Sequence, residues 1–248
     1  MPASIQRINA WSSPRNISTA LMYAFGQRAD STVVDEPLYA HYLTHGQTEV
    51  VHPGAPEILK AQLNEGEEVV RQVLLGTYQT PVVFFKQMTH HLVEMDEAFL
   101  QHMDNIMLIR DPRAIIASYT KVIPNPGIED IGVEQQYYLF QKLQALGTLR
   151  AVVDARELLL DPPGVLRQLC DCLGLAFDKR MLQWPTGPRT EDGVWAPYWY
   201  NRVHASTGFQ PYAEHHYNLP AELEALAASC APYYHTLFEV ALKANIEQ

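Results

Sequence analysis

The octapeptide SSPRNIST, residues 12–19, sets a single cation, Arg15, among hydroxyl and amide side chains. The apolar run INAW precedes it and a helical pattern follows. A loop between a strand and a helix is where parallel sheets hold ligands, beyond the carboxyl ends of the strands. The free N–H groups and dipole of the helix that follows favour an anion there. Ser13, Ser18 and Thr19 add hydroxyl donors, and Arg15 adds a charged fork that suits phosphate oxygens. A second constellation, RDPRAIIAS, ends another apolar run with Arg110 and places Ser118 eight residues later, inside a helix opened by Pro112. Neither stretch contains the G-x-x-x-x-G-K-[ST] loop of nucleotide kinases.

Together, in this order, SSPRNIST and RDPRAIIAS resemble the 5′-phosphosulfate loop and the 3′-phosphate motif of sulfotransferases that use 3′-phosphoadenylyl sulfate. The stretch ARELLLDPPGVLRQLCDCLGLAFD looks like that family's helix after the last core strand, with a weaker echo at WYNRVHASTGF. The fit is best to the bacterial and plant branch with a PRNIST loop. The resemblance implies a P-loop-like three-layer α/β sandwich around a central parallel sheet, with a helical C-terminal part. It implies 3′-phosphoadenylyl sulfate as sulfuryl donor, adenosine 3′,5′-bisphosphate as product, a small-molecule acceptor and no metal. Ser13, Arg15, Asn16, Ile17, Ser18 and Thr19 map to the phosphosulfate site, and Arg110 and Ser118 to the 3′-phosphate site. Two departures stand out. The loop has Asn16-Ile17 where the common form has Ser-Gly, and its basic residue is Arg15 rather than Lys.

Sulfuryl transfer needs charge neutralised on the leaving phosphate and a base for the acceptor. Arg15 is the first cation. Lys86 in PVVFFKQM, matching a Lys in the family's strand, is the second. The His that follows that Lys by two residues in the cytosolic branch is Met88 here. Glu36, in VVDEPLY, resembles an acidic position of other bacterial members and is the first candidate for the base. His90 and His91, whose type titrates in the useful range, are the second. The segment 193–209 offers Arg202, Ser206 and Thr207 as phosphate contacts, and its aromatics as an acceptor wall or as partners for a cation. A related kinase, or a nucleotide-binding protein without transfer activity, are the competing readings.

These residues need a scaffold. The β-rich runs 4–11, 31–37, 81–88, 105–110 and 148–155 alternate with helical patterns, which predicts one parallel α/β domain over 1–248. The middle runs are continuously apolar, as for strands covered on both faces. Helices are expected over the stretches APEILKAQLNEGEEVVRQVLLGTY and MDEAFLQHM, and in a terminal segment interrupted at Pro232, with 185–212 as a long irregular segment. A net charge of −10, from 18 basic and 28 acidic residues, argues against nucleic acid as the main partner. No apolar run is long enough to cross a membrane and no signal peptide opens the sequence, so the expectation is a cytoplasmic protein. Cys170, Cys172 and Cys230, three in number, form no disulfide framework. No sequence feature selects an oligomeric state.

Overall fold

The computed structural model describes residues 5–46, 52–121 and 126–245. Strands β1 (Gln6–Ser12), β2 (Ser31–Asp35), β3 (Val82–Met88), β4 (Asp104–Ile109) and β5 (Leu149–Asp154) form one sheet in the order β2-β3-β1-β4-β5. The pairs β2–β3 and β4–β5 are parallel, and helices connect and flank the strands. This is the α/β architecture that the alternating pattern predicts. Residues 82–87 and 105–109 are buried without a break, which explains why their sequences do not alternate. Strand order reverses at β1, so the loop leaving its carboxyl end lies at a topological switch point.

The chain groups into two compact units. The first comprises Met1–Ala10, Ser18–Asp104 and Asp178–Phe209. Its helix Ser18–Gly26 buries Leu21, Met22, Tyr23, Ala24 and Phe25, with the Phe25 ring stacked 4.2 Å from that of Phe84. The single helix expected after residue 55 is instead Ala55–Ala61, then Gly66–Val69, then a wider π-type turn over Val70–Leu74. The break coincides with a contact from another element. Gly66 N–H donates to His41 Nδ1 at 3.0 Å, and a Cβ at Gly66 would lie 3.0 Å from the same ring. Residues 98–102 form a 3-10 rather than an α-helical turn.

The expected irregular segment contains the short helices Ala196–Trp199 and Asn201–His204, seated by Trp195, Ala196 and Tyr200 packing on Tyr39, Ala40 and Ile58. Asp192 pins it as well. It accepts from Tyr23 OH at 2.7 Å and from Arg189 N–H at 2.9 Å, and it pairs with His204 Nε2 at 2.9 Å.

The second unit comprises Trp11–Ile17, Asn105–Phe177 and Gln210–Gln248. Asp111 caps the helix Pro112–Tyr119 by accepting from Arg113 N–H at 2.8 Å. Asp161 caps Pro162–Cys172 through Gly164 N–H at 2.9 Å, as its sequence predicts. The terminal helix Ala221–Glu239 runs through Pro232 without interruption. Proline removes one ladder bond there, but Ala227 and Cys230 pack on Ile115, Ile116, Ile131 and Val133, and that apolar face holds the helix in place.

Candidate functional site

Most of the sequence-predicted residues fall into two clusters, one within each unit, with Ser18 and Thr19 counted in the first unit by the helix they open. In the second unit, Ser12 closes β1 and Ser13 follows it, both fully buried, and the chain then turns at Arg15. Arg15 has φ of 57°, a left-handed conformation that costs a non-glycine residue about 1 kcal/mol. The bend that glycine supplies in glycine-rich phosphate loops is made here by the cationic residue itself. Two contacts hold it. The Arg15 carbonyl accepts from Arg110 Nη1, and Arg15 Nε donates to Ser118 Oγ at 3.1 Å. The two motifs, read separately in the sequence, thus meet through hydrogen bonds among Arg15, Arg110 and Ser118.

Asn16 works inward. Its Nδ2 donates to the Leu108 carbonyl at 2.9 Å, while its Oδ1 accepts from Ile17 N–H at 2.9 Å. Gln136 Nε2 reaches the same carbonyl at 3.0 Å, so both lone pairs of Leu108 O are engaged. The side chain of Asn16 and the N–H of Ile17 are therefore occupied as staples of the loop. Ser13 presents the opposite situation. It is 1% exposed, and its Oγ has no hydrogen-bond partner among the described residues. Ser18 and Thr19 open the helix that follows the loop.

The second cluster lies in the first unit. The β2–β3 register pairs Asp35 with Lys86, which puts both side chains on the same face of neighbouring strands. Lys86 is 2% exposed, and its ammonium donates to Asp35 Oδ1 at 2.9 Å, to Glu36 Oε1 and to Tyr200 OH at 2.7 Å. All three N–H bonds are used, so none is left for the leaving phosphate on which the sequence reading places this second cation. Glu36 has φ of 37°, a second strained non-glycine residue. Its N–H continues the ladder to Lys86 O, and its carbonyl accepts from Tyr39 N–H and Gln62 Nε2, each at 3.0 Å.

Burial pushes the Glu36 carboxyl above its ordinary range; the Lys86 charge pulls the other way and Asp35 adds to the rise. Burial also works to lower Lys86, but the carboxylates of Asp35 and Glu36 outweigh it and the ammonium stands above its usual range. Asp35 further accepts from Tyr200 OH at 2.7 Å and from Gly193 N–H at 3.0 Å, while Trp195 Nε1 donates to Tyr200 OH at 3.1 Å.

His91 is stacked between Tyr39 and Tyr42, with ring centroids at 4.8 and 4.9 Å, and its Nε2 lies 4.0 Å from Glu36 Oε2. Its buried Nδ1 has no partner among the described residues. Burial, then the neighbouring His90, His52, Lys86 and His41, push His91 well below the usual imidazole range. Burial and His52 push His90 down to about 3. Both rings are neutral at pH 7.

Of the remaining expectations, Arg202 is exposed and the Thr207 carbonyl accepts from Trp184 N–H. The Ser206 hydroxyl is committed to Val203 O and accepts from Trp184 Nε1. Tyr200 meets Lys86 through its hydroxyl at 2.7 Å, beyond the edge of the ring rather than over its face, and with Trp195 it is buried in the core. Asp35 was not among the sequence-predicted site residues. Its signals were adjacency to Glu36 and an acidic pair at a strand end, which resembles a Walker-B strand but lacks a Walker-A partner.

Among the described residues no cluster of His, Cys, Asp or Glu has the arrangement of a metal site, and no helix is long and apolar enough to cross a membrane. The chain is 37% identical over 231 residues to the branched-chain-amino-acid aminotransferase-like protein 2 of Arabidopsis thaliana. That match takes in 93% of this chain and 41% of the plant protein, so the chain spans about two fifths of the length of the curated relatives it matches. Among solved structures, the sulfotransferase domain of the curacin biosynthetic pathway aligns with a TM-score of 0.53 at 16% identity, over 92% of this chain and 98% of that one. The sulfotransferase of Alicyclobacillus acidocaldarius gives 0.53 at 12% identity, over 96% and 98%. At these identities the likeness concerns the fold. The family model for the sulfotransferase domain matches residues 6–241, nearly the whole described chain, and the protein belongs to that family.

Proposed function

We propose that the protein transfers a sulfuryl group from 3′-phosphoadenylyl sulfate to a hydroxyl or amine of a small molecule. The observation that carries this reading is the convergence of Arg15, Arg110 and Ser118, two guanidiniums and a hydroxyl from two separate motifs. A donor with phosphates at two positions of one nucleoside needs two such anchors, whereas a nucleoside diphosphate needs one. The enclosed, unpartnered Ser13 hydroxyl fits a loop that completes its hydrogen bonds on a ligand. When bound, the donor supplies an activated sulfuryl group whose bond to the leaving phosphate breaks as the acceptor's oxygen or nitrogen bonds to sulfur.

In this reading Arg15, Ser13, Ser18 and Thr19 hold the phosphosulfate, with Asn16 and Ile17 shaping the loop from behind. Arg110 and Ser118 hold the 3′-phosphate, and Arg202, Ser206 and Thr207 are further contacts to be tested. Glu36 takes the acceptor's proton on a carboxylate oxygen. Its upward shift brings it nearer the range in which a base works at neutral pH, whereas the downward shifts of His90 and His91 make them weaker bases. Lys86 holds Glu36 ionised until the proton arrives. The protein then acts in the cytoplasm on a diffusible acceptor.

Thermal unfolding with adenosine 3′,5′-bisphosphate, set against ADP with Mg²⁺, tests the reading. Stabilisation by the bisphosphate alone is expected. A response to ADP–Mg²⁺ alone overturns it in favour of a kinase.

A further inference from the structure

Two buried carboxylates share one ammonium, and their surroundings differ. Asp35 accepts from Lys86, from Tyr200 OH through both oxygens, at 2.9 and 2.7 Å, and from Gly193 N–H. Among the described residues the Glu36 carboxylate accepts from Lys86 alone, with His91 Nε2 4.0 Å from its other oxygen. Donors aimed at a carboxylate favour its anion. Like charges a few ångströms apart cannot both ionise freely, so the less supported member of such a pair takes the proton first.

We propose that Asp35 and Tyr200 are positioning residues that decide which carboxylate exchanges the proton, holding Asp35 as the standing anion and leaving Glu36 to take the proton up and release it. The Tyr200 hydroxyl is completely used for this. It donates to Asp35 and accepts from Lys86 Nζ and Trp195 Nε1. The same contacts occupy the third N–H of Lys86, so the ammonium cannot swing away from the pair. The titratable groups around Glu36 are Lys86 from β3, Asp35 from β2, His91 from the turn after β3, and Tyr200 from the segment packed over them. Tyr200, pushed far up by burial and then by Asp35 and Glu36, stays a neutral donor. The inference rests on Glu36 as the base of the proposed reaction.

It separates from that reading by experiment. Tyr200→Phe removes the donor to Asp35, so the pair takes its first proton more readily. Asp35→Asn removes the neighbouring anion, so Glu36 holds its proton less tightly. Carbon-13 NMR of carboxyl-labelled protein should show Glu36, and not Asp35, titrating first as pH falls. In Tyr200→Phe the Asp35 carbon should join that first titration, and in Asp35→Asn the Glu36 titration should move down by about one pH unit. The acid limb of the kcat/KM profile for donor turnover should change with these titrations, with bisphosphate affinity unchanged. A purely structural role would lower activity equally at every pH. Asp35 titrating first in the wild-type chain overturns the proposal without recourse to a variant, and so does a Glu36 titration unmoved in both variants. A wild-type chain that neither binds the bisphosphate nor turns over donor overturns the functional reading instead, and the NMR titration still decides the pair.

Discussion

Arg15 Nε lies 3.1 Å from Ser118 Oγ, a bond between residues 103 positions apart in the chain. With the Arg110 hydrogen bond to the Arg15 carbonyl, it makes the two motifs one mechanical unit. A ligand gripped by one motif is therefore sensed by the other, and the predictions follow from which contact is removed.

Arg110→Ala removes both the proposed 3′-phosphate partner and the brace on Arg15. Affinity for adenosine 3′,5′-bisphosphate should fall about 10- to 100-fold, the range for a charge-assisted bond, while AMP weakens several-fold through the loosened loop. Calorimetric titration of both nucleotides checks this. Equal losses would remove the 3′-phosphate from Arg110.

Asn16→Ala breaks the staple to Leu108 and Ile17 and leaves Ile17 N–H without its acceptor. The cost should be about 1–3 kcal/mol, a Tm lower by several degrees for a chain of this size. Bisphosphate affinity should fall too, because the bend at Arg15 is no longer held. An unchanged Tm would mean that water replaces the amide.

Glu36→Gln keeps shape and burial but cannot take a proton. Transfer from labelled donor to a panel of hydroxyl and amine acceptors should drop by about 10²- to 10⁴-fold, with bisphosphate binding nearly intact. A fully active variant passes the role to His90 or His91.

The histidine group sets a pH dependence of stability. His52, His90 and His91 have folded values below the unfolded one, so their contribution is present above about pH 6.5. It is lost as pH falls from there towards the folded values, about 3 for His90, at up to about 1.4 kcal/mol per pH unit for each group. Glu36, raised, acts in the opposite sense: its contribution is present below the ordinary carboxylate value and lost as pH rises through the folded one. Urea midpoints between pH 7.5 and 5 should decline, and more shallowly in His90→Gln. A flat wild-type curve would show that these rings are hydrated.

Asp192→Ala releases Tyr23, Arg189 N–H and His204 together. The segment 185–209 should become the first site of limited proteolysis, with the helix Ser18–Gly26 still protected. Unaltered cleavage would assign the anchoring to the Trp195 and Tyr200 packing alone.

Strand positions and the cap at Asp161 were legible because they depend on near neighbours: apolar runs, and an acid before a proline. The loop between β1 and the helix Ser18–Gly26 was legible for the same reason. The Asp35–Tyr200 bond was not, since it joins residues 165 apart and nothing in either local pattern names the other. The helix break at Gly66 escaped because its cause, the His41 ring, belongs to a different element. Continuity through Pro232 was hidden for a similar reason. Local propensity predicts a stop there, and only tertiary packing of Ala227 and Cys230 overrules it.

The left-handed Arg15 ties curvature and charge to one codon. A change to lysine keeps the charge but loses the Nε donor to Ser118, and a change to glycine eases the backbone but discards the cation. Drift at this position is therefore confined, and a loop of the glycine kind is reached only by moving the bend and the charge to different residues in separate steps. Sequence variants of the loop should accordingly come as paired substitutions rather than single ones.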